Sequence, residues 1–161
     1  PGLPVVVTAT TATGLELAGR GLAGAAHVLP CPFDLARPVG RLLDAARPRL
    51  VALVETELWP SWIAGARRHG HPVVVATGRL SDRSFPRYWK MRWLLAPTLR
   101  RIAAVGARTE TDAERFVALG VPEARVRVTG DLKLDPPADR PAIVIGDCGL
   151  HRVGVVLPQA R

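Results

Sequence analysis

The densest chemistry in the sequence lies at Val54-Glu55-Thr56-Glu57-Leu58-Trp59-Pro60, where two carboxylates follow an apolar, β-branched run and precede helix-forming residues. At such a junction Glu55 or Glu57 is placed to accept hydrogen bonds from a sugar or to act as a general base, and partial burial raises a carboxyl pKa toward the useful range. The pair also has a structural reading. An acid near a helix N-terminus is favoured by the helix dipole, and Pro60 suits a first helical turn. Thr77-Gly78-Arg79-Leu80-Ser81-Asp82-Arg83-Ser84 occupies the equivalent position after the next apolar run. Arg79 and Arg83 carry planar guanidinium groups that match phosphate or carboxylate, Ser81 adds a hydroxyl, and Gly78 lets the backbone approach a ligand closely. Read structurally, the same stretch is an exposed loop in which Arg79 pairs with Glu55 or Glu57.

Three further stretches carry chemistry. Residues 85–95 interleave Arg87, Lys90 and Arg92 with Trp89, Trp93 and the sole tyrosine, Tyr88. Interfacial membrane segments have this composition, with rings at headgroup level and basic groups on anionic phosphates; Arg87, Trp89, Lys90 and Trp93 are the candidate lipid contacts. A helix with its aromatic side on a sheet and its basic side in water has it too. Thr129-Gly130-Asp131-Leu132-Lys133-Leu134-Asp135 holds one of only two lysines, and also reads as a surface turn. Thr8 to Gly14 is rich in hydroxyls at a strand-to-helix junction, which suits either an anion or an N-cap by Thr11 or Thr13. The four histidines lie apart in sequence and form no triad or metal-ligand spacing.

The elements that must position these residues alternate. Short β-branched runs at residues 5–8, 26–29, 50–54, 72–76, 102–105 and 125–128 read as buried strands. Helix-length pieces at 13–20, 34–46, 58–69, 85–101 and 110–119 lie between them, with Asp34 and Thr109 as N-caps and Gly120 closing the last helix. Repeated β-α units predict an open, mainly parallel α/β sheet with flanking helices and a ligand crevice at the C-terminal ends of the strands. Residues 136–141 read as a linker, residues 142–146 as one more candidate strand, and the last fifteen residues show no clear period.

At 161 residues and 48% hydrophobic the chain has the material for one ordinary domain. It begins at Pro1 without an initiator methionine, so the N-terminus reads as cut, and no apolar run approaches the roughly 20 residues of a membrane-spanning helix. Cys31 and Cys148 lack zinc or disulfide-framework spacing, and no metal or cofactor site is expected. The net charge of +8 advertises an anionic partner, although the basic residues are almost all arginine in a chain also rich in Ala, Gly and Pro, as GC-rich coding produces. They are spread without a zinc-finger, homeodomain or RNP signature, so no nucleic acid is expected. Glycine-rich phosphate loops of the dinucleotide and P-loop types are absent, which disfavours a plain NAD or ATP enzyme.

In order as well as in content these residues resemble the Kdo (3-deoxy-D-manno-octulosonic acid) transferase family. Thr8 to Gly14 is similar to its T-x-T-x-T-G segment, Pro32-Phe33-Asp34 to its P-Y/F-D, and Glu55 to Pro60 to its E-T-E-L/I-W-P. Arg79-Leu80-Ser81 with Arg83-Ser84 resembles N-A-R-L-S-x-R-S, Asp112 with Arg115-Phe116 and Leu119-Gly120 resembles D-x-x-R-F-x-x-L-G, and Gly130 to Asp135 resembles G-N/S-L-K-F/Y-D. Thr77 and Gly78 stand where that family has Asn and Ala.

The resemblance implies the Rossmann-like N-terminal half of a GT-B glycosyltransferase, with residues 1–135 as a partial acceptor-side domain and 136–161 as linker and unassigned tail. It further implies transfer of Kdo from CMP-Kdo to a lipid A precursor at the cytoplasmic face of the inner membrane, in lipopolysaccharide biosynthesis. Glu55 and Glu57 become acceptor-side active-site groups; Arg79, Ser81, Arg83 and Lys133 become substrate-binding groups beside them. The family's first strand, whose Gly-Glu motif carries the expected catalytic base, would precede Pro1, as would its membrane anchor. Its C-terminal domain, with the donor site, has no counterpart in residues 142–161. The isolated chain is therefore expected to be inactive. The first strand belongs at mid-sheet, so its neighbours are expected to pair directly or to leave a gap. The alternatives are a stand-alone α/β binding module, another sugar-nucleotide enzyme, or an arginine-rich nucleic-acid binder.

Overall fold

A computed structural model describes residues 5–55 and 58–131 and the backbone of residues 153–158. The expected alternation is present: β1 (Val5–Ala9), α1 (Ala12–Gly21), β2 (Ala26–Pro30), α2 (Ala36–Ala46), β3 (Pro48–Val54), α3 (Pro60–Arg68), β4 (Val73–Gly78), α4 (Phe85–Lys90), α5 (Arg92–Leu99), β5 (Ala104–Ala107), α6 (Glu110–Ala118), β6 (Val126–Val128) and β7 (Val153–Pro158). These build a 7-stranded sheet in the order β2-β1-β7-β3-β4-β5-β6. The pairs β1–β2, β3–β4, β4–β5 and β5–β6 are parallel.

Successive residues of a strand face opposite sides of the sheet, and β1 shows the consequence. Val6 joins the larger core, whereas Val7 joins a smaller one with Ala18 of α1, flanked by Val5, Leu22, Ala26 and Val28. The larger core takes the odd-numbered residues Val51, Leu53, Val73, Val75, Val105 and Ala107, packed by residues of α2, α3, α5 and α6. Thr11 and Thr109 end their helices as side-chain N-caps, accepting from the N–H groups of Gly14 (3.0 Å) and Asp112 (3.1 Å). Gly120 follows α6 at φ +112°, the left-handed region that relieves a helix end.

Three expectations are corrected. Residues 85–101 form two helices, because the N–H of Met91 bonds the Tyr88 carbonyl three residues back and the chain turns there, between Lys90 and Arg92. Asp34 does not cap α2, whose N-cap Leu35 makes no side-chain bond. Asp34 Oδ1 instead accepts from the N–H groups of Ser61 (2.9 Å) and Trp62 (3.3 Å), capping α3 from 27 residues away. Finally, β1 and β3 neither pair with one another nor leave a gap. β7 stands between them, antiparallel to both, with Val155 opposite Val7 on one side and Ala52 on the other. Its backbone groups satisfy the two inward-facing edges, which local periodicity near residue 155 did not foretell. The candidate strand at 142–146 lies outside the described residues.

Candidate functional site

Parallel strands open their C-terminal ends on one rim, and the loops there carry most of the polar residues singled out from sequence. Glu55 directly follows β3 and Arg79 directly follows β4, its parallel neighbour. The backbone at these adjacent strand ends is unusual: Glu55 has φ 62° and Thr77 has φ 49°, a left-handed conformation that side-chain-bearing residues rarely adopt. Such a residue costs on the order of 1–3 kcal/mol and is concentrated at functional sites. The Glu55 N–H is bonded to the Ala76 carbonyl at 3.0 Å, so the turn after β3 is tied to the end of β4. Against β5, β4 changes register between Val75 and Gly78, which re-aims the residues that leave it toward the rim. Glu55 is half-buried and Arg79 exposed. Glu57 and Lys133 lie outside the described residues.

The loop after β4 is held from α6. Buried Asp112 accepts from the Leu80 N–H at 2.7 Å and from the Thr109 hydroxyl at 2.7 Å. Arg115 donates to the Leu80 carbonyl and to Asp82. Within the loop the Ser81 hydroxyl donates to Ser84 Oγ at 3.0 Å and accepts from the Ser84 N–H at 3.2 Å, so Ser81 shapes the turn into α4. Arg83 is exposed beyond it. Gly78 serves packing: a Cβ there would lie 2.7 Å from the Phe116 ring, and its φ is not in the left-handed range. Its absence of side chain admits α6 close against β4, in place of the ligand approach expected from sequence.

Two features of the rim were not read from sequence. Arg108, which follows β5 as Arg79 follows β4, pairs with Asp131 after β6 at 3.3 Å. The strand alternation contained that signal, since it places the residue after every strand on the same rim. Asp34 brings the loop after β2 onto the start of α3; burial raises its carboxyl pKa, with the hydrogen bonds from Ser61 and Trp62 opposing.

Residues 85–95 lie outward. Phe85 and Tyr88 pack on the larger core, and Leu95 is buried. Trp89 is 42% exposed, Trp93 77% and Leu94 55%; Arg87 and Lys90 are exposed as well. The Arg92 guanidinium stacks over Trp89 at 4.2 Å. Trp89, Lys90, Arg92, Trp93 and Arg100 line an open cavity of about 650 Å³ that also touches Gly120. The stretch therefore has one aromatic side on the core and a second in water among basic groups. Among the described residues no helix is long and apolar enough to cross a membrane, and no group of three His, Cys, Asp or Glu side chains is placed to hold a metal ion. His69 contacts Asp44 at 3.0 Å and stacks on His71, away from these loops in sequence and contacts.

The chain is 35% identical over 131 residues to a bifunctional glycosyltransferase/methyltransferase of Fusobacterium nucleatum, covering 80% of this chain and 20% of that protein. It is 31% identical over 135 residues to the 3-deoxy-D-manno-octulosonic acid transferase of Haemophilus influenzae, covering 84% and 32%. For the enzyme of that name from Bordetella pertussis the identity is 34% over 140 residues, covering 83% and 32%. The chain thus spans a fifth to a third of the length of these curated relatives. The family described as 3-deoxy-D-manno-octulosonic-acid transferase (kdotransferase) matches residues 1–136, so the chain belongs to the Kdo transferase family and carries its N-terminal part.

Proposed function

We propose that this chain is an acceptor-side part of a glycosyltransferase that moves Kdo from CMP-Kdo onto a lipid A precursor in lipopolysaccharide synthesis, at the cytoplasmic face of the inner membrane. The observation that carries the reading is the family match over residues 1–136, which includes every rim loop described above. In the transfer a bond forms between an acceptor hydroxyl oxygen and the anomeric carbon of Kdo, the bond from that carbon to the CMP phosphate breaks, and the hydroxyl proton leaves to a base. Glu55, with Glu57, holds the acceptor sugar through its hydroxyls and keeps negative charge beside the carbon that becomes electron-poor. Arg79 and Arg83, with Lys133, take the acceptor's anionic groups, for which a forked guanidinium is suited. Ser81 keeps their loop in shape. Arg87, Trp89, Lys90 and Trp93 rest against the anionic membrane surface in which the acceptor lies. The donor site belongs to a part of the relatives that this chain does not span, and the chain alone transfers no Kdo.

The experiment is a graft. Residues 5–135 replace the corresponding segment of the Haemophilus influenzae enzyme, and transfer of labelled Kdo from CMP-Kdo to the lipid acceptor is measured. The graft is expected to transfer, and Glu55→Gln within it to lower kcat by about a hundredfold, the usual loss when a preorganised charge in the site is removed. A folded graft without transfer, or one indifferent to Glu55→Gln, refutes the assignment.

A further inference from the structure

Four adjacent strands leave the sheet on one rim, and backbone bonds tie their ends together. The Glu55 N–H, after β3, donates to the Ala76 carbonyl of β4 at 3.0 Å. The Arg108 N–H, after β5, donates to the Gly78 carbonyl of β4 at 3.0 Å, and the Thr129 N–H, after β6, to the Ala107 carbonyl of β5 at 2.9 Å. Taken in the order of the strands, the charged residues of these exits are Glu55, Arg79, Arg108 and Asp131. Two acids flank two arginines.

The arginines are brought into line by a bulge. Val75 is opposite Val105, yet Gly78 is opposite Ala107, so β4 takes three steps where β5 takes two. Thr77, at φ 49°, lies in the bulged stretch. Without the extra residue Arg108 would lie opposite Gly78, and Arg79 would be one step further along and on the other face. With it, Arg79 and Arg108 are each the first residue beyond a paired position of parallel neighbours, about 5 Å apart at the backbone. Ala107 and Leu80 belong to the larger core, and Gly78 faces Phe116. Alternation therefore turns both arginines to the opposite face of the sheet.

Asp131 holds one of the two. Its Oδ2 lies 3.3 Å from Arg108 Nε; the Asp131 side chain is 15% exposed and that of Arg108 40%. A guanidinium has five N–H donors, and a single carboxylate oxygen at Nε does not use them all. Two like charges on adjacent strand ends repel, and an anion seated between them replaces that repulsion with two attractions. A phosphate monoester offers three terminal oxygens to the two forks, whereas a carboxylate fills one.

We propose that Arg79 and Arg108 form a clamp for a phosphate monoester. The proposal deepens the reading of Arg79 as a residue for the acceptor's anionic groups and rests on it, adding Arg108 and the phosphate class. Binding is measured without transfer, so a graft that fails to transfer Kdo leaves this test intact.

The full chain is titrated with glucose 1-phosphate at low ionic strength, and binding is read by calorimetry. Arg108→Gln is expected to weaken binding about tenfold or more, as the loss of charge-assisted hydrogen bonds does. Arg108→Lys, which keeps the charge without the fork, is expected to recover part of the affinity. Arg101→Gln makes the same charge change at an exposed arginine beyond α5 and is expected to change nothing. Inorganic phosphate is expected to compete but to bind no more tightly than the ester, and acetate to compete poorly. Equal binding by R108Q and the unaltered chain, or a loss in R101Q matching that in R108Q, overturns the proposal. So does acetate competing as well as phosphate, or tighter binding of the free ion than of the ester. Should R108Q unfold, the unaltered chain decides. Glucose 1-phosphate is expected to slow phenylglyoxal modification of Arg79 and Arg108 severalfold, located by peptide mass, and to leave Arg101 unaffected. Modification of Arg108 at the same rate with and without the ester overturns it.

Discussion

The carboxylate of Asp112 accepts a hydrogen bond at 2.7 Å from the backbone N–H of Leu80, 32 residues earlier in the chain. Through this bond, and through Arg115 on the Leu80 carbonyl, the start of α6 holds the loop that presents Arg79 and Arg83. Asp112→Ala leaves the N–H of a fully buried residue unpaired and is expected to cost about 1–3 kcal/mol of stability. Asp112→Asn keeps an acceptor oxygen and is expected to cost less. Because Asp112 positions the loop, Asp112→Ala in the grafted enzyme should raise KM for the lipid acceptor more than it lowers kcat. Denaturant titration and steady-state kinetics check the two halves; equal stability of the Ala and Asn variants would refute the first.

At Gly78 the expected effect is steric. Alanine there puts a Cβ 2.7 Å from the Phe116 ring, and α6 must move off β4. A loss of about 1–3 kcal/mol is expected, the usual penalty for overpacking a filled core. Combining Gly78→Ala with Phe116→Leu should cost less than the sum of the two single changes, because each relieves the other's strain. Strict additivity in a double-mutant cycle would show that the contact is not limiting.

A pH effect follows from His71. Burial first, and the His69 charge second, lower its pKa below the ordinary 6.5, with Asp44 opposing. The folded chain therefore binds fewer protons at this ring than the unfolded chain does. The stability this ring contributes is fully present above about pH 6.5 and is lost as pH falls through the lowered folded value. Urea unfolding at a series of pH values from about 7.5 to 5 should show stability falling on acidification, and His71→Phe should flatten that slope. An unchanged slope in the variant would place the acid sensitivity elsewhere.

Trp89 and Trp93 supply the fourth prediction. Both are exposed, so Trp89→Ala with Trp93→Ala should preserve the circular dichroism spectrum. Partitioning onto vesicles containing anionic phospholipid is expected to fall about a hundredfold or more, since each of the two large side chains buried from water contributes about 1.5–3 kcal/mol. Salt should weaken what binding remains, through screening of Arg87, Lys90 and Arg92. Co-sedimentation equal to that of the unaltered chain would make this outward face ordinary surface.

What was legible in the sequence was local. Six strands and five helical regions follow from runs of β-branched residues, from helix-length polar and apolar periodicity, and from the caps Thr11 and Thr109, whose partners lie three residues away. The rim follows as well, because a parallel α/β sheet places the residue after each strand on one side; Glu55 and Arg79 at adjacent strand ends are that rule applied. Tertiary structure decided whatever depends on a partner distant in sequence. Asp34 reads as the cap of the helix it precedes, yet bonds the start of α3, because folding brings the β2 loop against Ser61. Gly78 reads as room for a ligand, yet the space is filled by Phe116 from 38 residues further along. The middle of the sheet was least legible of all, since backbone pairing carries no side-chain signature of its partner, and any extended apolar segment with free N–H and C=O groups satisfies the edges of β1 and β3. Which segment does so, and in which direction, was settled only when the whole chain closed around Val153–Pro158.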